Sequence, residues 1–430
     1  MSVHPLLSGV FTALDDAGAD WVLLRGEERL ACPLGDVDLL VAPGALAILE
    51  RIACDLGFEA QARAVLVSRS SYVAYVADED LWLRLDVVTD VSFGRLLQYR
   101  TPVAGALLAR RRRSSRLPLL DPDDAFWHLL LHYLLDRGAV PEQARDLLRQ
   151  ECDRSPPGGP LAAFLDELAP AVASRDMIAA VRASAWAQLA GLAAELRRSF
   201  KARRTASQAA LVAAHHVLDR LHVAHLSRSR PGLLVVILGP DGAGKTTLAK
   251  ALNETLGLPS RYLYMGLWRD GPLERVLSVV PGLRLAASLG RLAARSGRAG
   301  YHRWRGRTVL VDRFVYDAYL VGPGDTLRQR LTARLVLSAS LTPDLVLLLD
   351  LPGSVAFTRK GEQSVATLDL WRDRYRGLEG RLAGIVRIDA TSPADVVRQD
   401  ASRAIWTRRQ ARHAASQPGA GATALRSGAG

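Results

Sequence analysis

Gly239-Pro-Asp-Gly-Ala-Gly-Lys-Thr-Thr247 follows directly on the apolar run Leu233 to Leu238 and leads straight into Leu248-Ala-Lys-Ala-Leu252. The spacing G-x-x-x-x-G-K-T, set between a buried-type strand and a helix, is the order that a phosphate cradle requires. Glycines let backbone N–H groups approach phosphate oxygens without a Cβ in the way, and the helix that follows adds its positive end. At this spacing Lys245 is expected to reach the β- and γ-phosphates of a nucleoside triphosphate, and the Thr246 hydroxyl to hold Mg²⁺. The candidate cofactor-binding residues are therefore Gly239, Asp241, Gly242, Ala243, Gly244, Lys245, Thr246 and Thr247, with ATP and Mg²⁺ as the expected cofactors. A glycine turn without function is the alternative, and both flanks argue against it.

Further strands follow the loop. Thr308-Val-Leu-Val-Asp-Arg-Phe314 is a buried-type strand ending in Asp312-Arg313. Parallel strands deliver side chains to the ligand crevice at their carboxyl ends. An Asp placed there can hold Mg²⁺, and an Arg can clamp a phosphate through two parallel N–H bonds. Pro343 to Asp350 is a further strand whose Asp350 is expected at the same end. Arg359-Lys-Gly-Glu362 reads as a charged, flexible stretch suited to a lid. A helix from Asp369 to Leu378 carries Arg372, Arg374 and Arg376, and Ile385 to Asp389 is the last strand.

In this order, GPDGAGKTT at 239–247, VDRF at 311–314, PDLVLLLDL at 343–351, WRDRY at 371–375 and IDATSPADVV at 388–397 resemble the thymidylate kinase family of P-loop kinases. The resemblance spans nearly all of residues 233 to 405. It implies in-line transfer of the ATP γ-phosphoryl group to a phosphorylated acceptor. It also implies donor contacts from Lys245 and Thr246, and places Asp241 and Arg313 toward the acceptor phosphate. Asp312 would support metal or acceptor, and Arg359 would close over the transferring group. One stretch departs from the family: its Glu-Pro-Gly-Gly segment is replaced by Tyr262-Leu-Tyr-Met-Gly-Leu-Trp-Arg-Asp-Gly-Pro272, and Leu273 to Arg298 lacks the expected pattern for helices framing thymine. The expectation is an intact donor half and a rebuilt acceptor half, with an acceptor other than thymidylate.

The N-terminal residues carry a different pattern. Trp21-Val-Leu-Leu24 ends in Arg25-Gly26, and Gly35-Asp-Val-Asp-Leu-Leu-Val41 puts Asp36 and Asp38 two apart on a strand, hence on one side of it. Ala45 to Leu56 has helical spacing, and Val65 to Val76 and Leu81 to Val88 read as strands joined by Asp78-Glu-Asp80. The second of these carries Asp86. Three convergent carboxylates can hold two Mg²⁺ ions around a triphosphate and activate a hydroxyl for attack at the α-phosphorus. This constellation resembles the nucleotidyltransferase fold, which implies Asp36, Asp38 and Asp86 as catalytic metal ligands. The alternative is a domain that binds a nucleotide or partner without turnover. Asp121-Pro-Asp-Asp then caps a helix carrying His128 and His132, one turn apart. With no third ligand in the pattern, packing or hydrogen bonding is the preferred role for the pair.

The 430 residues leave room for about two to three domains. With 49% hydrophobic and 23% charged residues, the composition is that of a folded soluble chain. The net charge of +12 invites nucleic acid as a partner. Much of the excess lies in Arg110–Arg113, Arg197–Arg204 and the end after Arg408, which read as solvated faces and connectors. Three cysteines without paired spacing argue against a disulfide framework or zinc site and suit a reducing, cytoplasmic setting. Neither a signal peptide nor a membrane span is expected from the pattern.

The expected architecture is α/β and multidomain. It comprises a nucleotidyltransferase-like α+β domain (1–105), a helical region (118–226), a P-loop parallel α/β kinase domain (233–408) and a disordered tail (414–430). The expected activity is an ATP- and Mg²⁺-dependent phosphotransferase acting on a nucleotide or other small phosphorylated metabolite. Two alternatives stand beside it: a nucleotidyltransferase with the P-loop domain as accessory, and a regulatory protein that binds nucleotides without turnover. Oligomeric state is open, a homodimer included.

Overall fold

The computed structural model describes residues 2–61, 69–94, 97–114, 117–154, 157–205, 210, 213–214, 231–265, 283–314, 341–380, 382 and 384–415. Five expectations lie partly outside these residues: the start of the strand from Val65, the end of the helical region 118–226, the departing stretch beyond Met265, the helices from Leu273 and the tail beyond Ala415. The chain divides into two compact units, one of residues 1–74 and 82–229, the other of residues 75–81 and 230–430.

In the first unit, helix α1 (Pro5–Asp16) precedes strands β1 (Trp21–Arg25) and β2 (Asp36–Val41), helix α2 (Leu46–Asp55), β3 (Glu59–Ala60), β4 (Arg69–Val76) and β5 (Leu81–Val88). Next come β6 (Val91–Phe93), β7 (Tyr99–Thr101), α3 (Ala104–Arg110), β8 (Arg112–Ser114) and β9 (Leu117–Leu119). Seven of these strands form one sheet in the order β3-β4-β5-β2-β1-β9-β8. β1 and β2 are antiparallel, whereas β2 and β5 run parallel with Asp38 beside Asp86 and Asp36 beside Arg84.

Helices complete this unit: α4 (Pro122–Leu131), α5 (Glu142–Arg154), α6 (Gly159–Leu168), α7 (Ser174–Arg182) and α8 (Trp186–Ala202). The Asp121 side chain caps α4 by accepting from Asp123 N–H at 3.3 Å, with Pro122 fixing the first turn. Between α4 and Gly138 the chain winds as a π-helix, His132–Arg137, where the sequence pattern predicts an uninterrupted α-helix. The helices share a core with the sheet: Val22, Leu24 and Leu40 join Phe126, Trp127 and Leu130. Trp127 is wholly buried, and its indole N–H donates to Pro157 O at 3.2 Å. Truncating such a side chain to Ala costs about 3–5 kcal/mol.

The second unit is built on a five-stranded sheet: β10 (Leu234–Leu238), β11 (Ser260–Tyr264), β12 (Thr308–Asp312), β13 (Leu345–Asp350) and β14 (Ile385–Asp389). The order is β11-β12-β10-β13-β14, and every neighbouring pair is parallel. Its helices are α9 (Lys245–Thr255), α10 (Leu283–Trp304), α11 (Gly353–Lys360), α12 (Val365–Arg376) and α13 (Ala394–Ala415). All five β10 residues are buried, the continuous apolar run of a strand covered on both faces. Leu234, Val236 and Leu238 pack with Leu292 and Ala299 of α10 and Tyr375 of α12. This is a mixed α/β architecture whose parallel sheet fits a P-loop domain. Two local differences from expectation stand out. Arg359 and Lys360 form the last turn of α11 rather than an open loop, and α13 runs through Ala415, two residues into the expected tail. Among the described residues no helix is long and apolar enough to cross a membrane.

Candidate active site

Strand β10 ends at Leu238, and the glycine loop turns from there into α9. Gly239 has φ +148°, and a Cβ on it would lie 2.8 Å from Leu349 O; Gly242 has φ +87°, and its Cβ would lie 2.6 Å from Ala356 O. Only glycine permits this backbone and this approach to β13 and α11. The loop is thereby pressed between strand and helix. Ala243 is buried and donates its N–H to Pro240 O at 3.2 Å, and Gly244, in the left-handed region, is the N-cap from which α9 starts at Lys245.

Lys245 folds back over the loop. Its Nζ donates to Gly239 O and Pro240 O, each at 2.9 Å, and lies 3.4 Å from Asp241 Oδ1. Thr246 and Thr247 are exposed on the first turn of α9. Thr246 Oγ1 donates to Asp312 Oδ2 at 2.5 Å, spanning from that turn to the carboxyl end of β12. The same Oδ2 accepts the Tyr262 hydroxyl from β11 at 3.3 Å. Partial burial, the Asp312 charge and this hydrogen bond push the Tyr262 phenol up to about 12, so it stays a donor.

Asp241 gathers cations. Arg313 Nη2 donates to its Oδ1 at 2.8 Å, and Lys360 Nζ lies 3.9 Å from Oδ2. Burial works to raise the Asp241 carboxyl, but Lys245, Arg313 and Lys360 override it and hold it below the usual range. Arg313 has a φ of 61°, a left-handed conformation that a non-glycine residue adopts rarely. Arg359 is not brought to the loop, contrary to expectation: its Nη1 donates to Ala390 O at 3.0 Å, beyond β14. Helical phase explains the difference, since successive residues on α11 point about 100° apart. It is Lys360 that turns toward Asp241. Asp350 is clamped by Arg372 and Arg376, whose shortest contacts are 2.6 Å each; burial raises its carboxyl, yet these bonds bring it down to about 2.

In the first unit the three sequence-predicted carboxylates sit on neighbouring parallel strands, but each faces an arginine. Asp38 meets Arg25 Nε at 2.5 Å, Asp36 lies 3.5 Å from Arg84 Nη1, and buried Asp86 pairs with Arg69. Partial burial, then the Asp86 charge, raises the Asp36 carboxyl. Among the described residues no group of three or more His, Cys, Asp or Glu side chains is arranged to hold a metal ion. The three acids thus stand in a ladder of ion pairs with arginines from β1, β4 and β5. His128 is buried against Phe93, with ring centroids 5.7 Å apart, and its Nδ1 finds no hydrogen-bond partner among the described residues. Burial, then the charges of Arg25 and His132, lowers it to about 3. His132 Nδ1 pairs with Asp136 Oδ2 at 2.6 Å.

Sequence reasoning missed Tyr262 and Lys360 as individual residues. The signal for Tyr262 is its place two residues before the end of a strand neighbouring the one that carries Asp312.

No family model matches the chain. Among curated proteins, a thymidylate kinase of Rhizorhabdus wittichii is 30% identical over 186 residues, 39% of this chain and 88% of that protein. A thymidylate kinase of Xanthomonas oryzae pv. oryzae strain PXO99A is 31% identical over 195 residues, 40% of this chain and 81% of that protein. Thymidylate kinases of strains MAFF 311018 and KACC10331 match to the same extent.

Proposed function

The chain belongs to the thymidylate kinase family, and on that footing we propose that residues 233–408 form an ATP- and Mg²⁺-dependent phosphotransferase acting on a nucleotide or another small phosphorylated acceptor. A kinase-type phosphotransferase follows from the family; the donor, the metal and the acceptor are the further step. The observation that carries it is the hydrogen bond from Thr246 Oγ1 to Asp312 Oδ2, beside the glycine loop and Lys245. The donor set suits the ion, since a hydroxyl and a carboxylate are the hard oxygen ligands that Mg²⁺ takes. Bound at Thr246 and Asp312, Mg²⁺ would neutralise charge on the β- and γ-phosphates.

The chain's own residues supply position and charge. Lys245 exchanges its loop carbonyls for phosphate oxygens. Arg313, now on Asp241, would turn to the acceptor phosphate, and Lys360, also beside Asp241, would supply a second cation to the transferring group. An acceptor oxygen forms the new bond to the γ-phosphorus as the bond to the β–γ bridging oxygen breaks and ADP departs. Little else is asked of the protein, because such transfer is mostly placement and charge neutralisation.

The acceptor differs from thymidylate in this proposal. Tyr264, opposite Asp312 in register and 40% exposed, brings an aromatic ring to the end of β11. With ATP, Mg²⁺ and dTMP, dTDP formation should fall below the usual kcat/KM range of about 10⁴–10⁸ M⁻¹s⁻¹. Efficient dTDP formation would restore thymidylate as the acceptor. A screen of phosphorylated metabolites for ATP consumption then identifies the substrate class.

A second reading assigns residues 1–105 a nucleotidyltransferase-like activity. It is favoured by the adjacency of Asp38 and Asp86 on parallel strands, with Arg25-Gly26 ending the neighbouring strand. For that chemistry the arginines would have to leave the carboxylates for triphosphate oxygens.

A further inference from the structure

Asp312 closes β12 with its carboxylate almost wholly buried, 1% exposed, and its Oδ2 receives two hydroxyl groups from different elements. A carboxylate on a short stem rotates in a broad well about its terminal bond. One donor does not fix its plane; two donors approaching from different sides do. Thr246 comes from the first turn of α9. Tyr262 comes from β11, where its backbone lies beside Leu310 and its ring extends to Asp312. A hydroxyl that gives its proton to a carboxylate keeps its lone pairs for a cation. Fixing Asp312 therefore also fixes how Thr246 presents those lone pairs.

We infer that Tyr262 is a positioning residue: its hydroxyl holds Asp312 Oδ2, and through it the Thr246 hydroxyl, in the arrangement that receives the metal accompanying ATP. This rests on the phosphotransferase reading of the second unit. A packing role for the ring predicts that loss of the hydroxyl is neutral. A positioning role predicts a loss confined to the metal-linked part of ATP binding, because Tyr262 reaches the site through Asp312.

The test is calorimetric titration of the full chain with ATP, in EDTA and in Mg²⁺. Tyr262→Phe should bind ATP in EDTA as the wild type does, which also shows that the loop is intact. Its tightening by Mg²⁺ should be smaller by roughly three- to tenfold, the net scale of one ordinary hydrogen bond. In an Asp312→Asn background, Tyr262→Phe should produce no additional change. Wild-type Mg²⁺ linkage in Tyr262→Phe, or an equal loss in the Asp312→Asn background, overturns the inference while leaving the phosphotransferase reading standing. Wild-type protein that binds no ATP, or binds it without regard to Mg²⁺, overturns both.

Discussion

Asp312 of the second unit and the three strand-borne acids of the first keep different company. In the second, Asp312 accepts two neutral hydroxyl groups, Thr246 and Tyr262, at the mouth of a glycine loop. In the first, Asp36, Asp38 and Asp86 each face an arginine. A cation entering beside Asp312 meets a carboxylate held by two hydroxyl groups. One entering the first site has to displace a guanidinium and so to separate two opposite full charges. Similar residues in similar strands therefore differ in what they are poised to bind. The partner side chain, rather than the acidic motif, makes the difference.

The largest effect should follow from Lys245. Methionine keeps its bulk and removes the charge that meets the phosphates, so Lys245→Met should lower ATP turnover by at least about a hundredfold while the far-ultraviolet circular dichroism stays unchanged. Turnover near wild type in that folded variant would move the chemistry away from the glycine loop and erase the contrast between the units.

A smaller effect concerns one buried histidine in each unit, His128 and His302, lowered to about 3 and about 4, in each case chiefly by burial. The unfolded chain takes up these protons near pH 6.5, whereas the folded one holds the rings neutral. Stability is therefore complete above about pH 7 and falls as pH drops, at about 1.4 kcal/mol per unit for each ring. For His128 the fall continues toward pH 3, and for His302 it ends sooner, toward pH 4. His128→Leu should remove one such slope between pH 7 and 5, read as the pH dependence of the denaturant midpoint. An unaltered slope would mean that the folded chain protonates His128 as readily as the unfolded one does.

The smallest effect belongs to Asp350. Its carboxyl is held at about 2, so the clamp by Arg372 and Arg376 is in place above the unfolded value near 3.9 and is lost as pH falls toward 2. Asp350→Asn should cost on the order of 1 kcal/mol at pH 7 after solvent screening, with a difference that shrinks below about pH 4. A cost that persists unchanged at pH 3 would assign the loss to packing instead of charge.

What was legible in the sequence follows the range of the interactions involved. The strand, loop and helix around Lys245 are local, and glycine spacing reveals them. The three central strands of the second unit, β12, β10 and β13, read as apolar runs because they are buried along their length. The alternation of Asp36 and Asp38 was equally local. Their arginine partners were not, because Arg25 and Arg84 come from other strands and pair through a register that no local pattern encodes. The choice of Lys360 over Arg359 depends on the phase of α11 against the loop, which is set where Gly242 meets Ala356. Tyr262 carries no motif at all; it matters through its reach to the neighbouring strand. The π-helix at His132–Arg137 likewise departs from a local pattern that continues as an ordinary helix.

The central claim is that the metal-linked triphosphate site belongs to the second unit and not to the acidic strands of the first. Calorimetric titration of ATP with Mg²⁺ into the full chain, compared with Lys245→Met and with Asp36→Asn/Asp38→Asn, tests it directly. The expected result is at least about tenfold weaker binding in Lys245→Met, with the double acidic variant staying within about twofold of wild type. Wild-type affinity in Lys245→Met, together with loss of Mg²⁺-linked binding in Asp36→Asn/Asp38→Asn, would contradict it and place the triphosphate on the first unit.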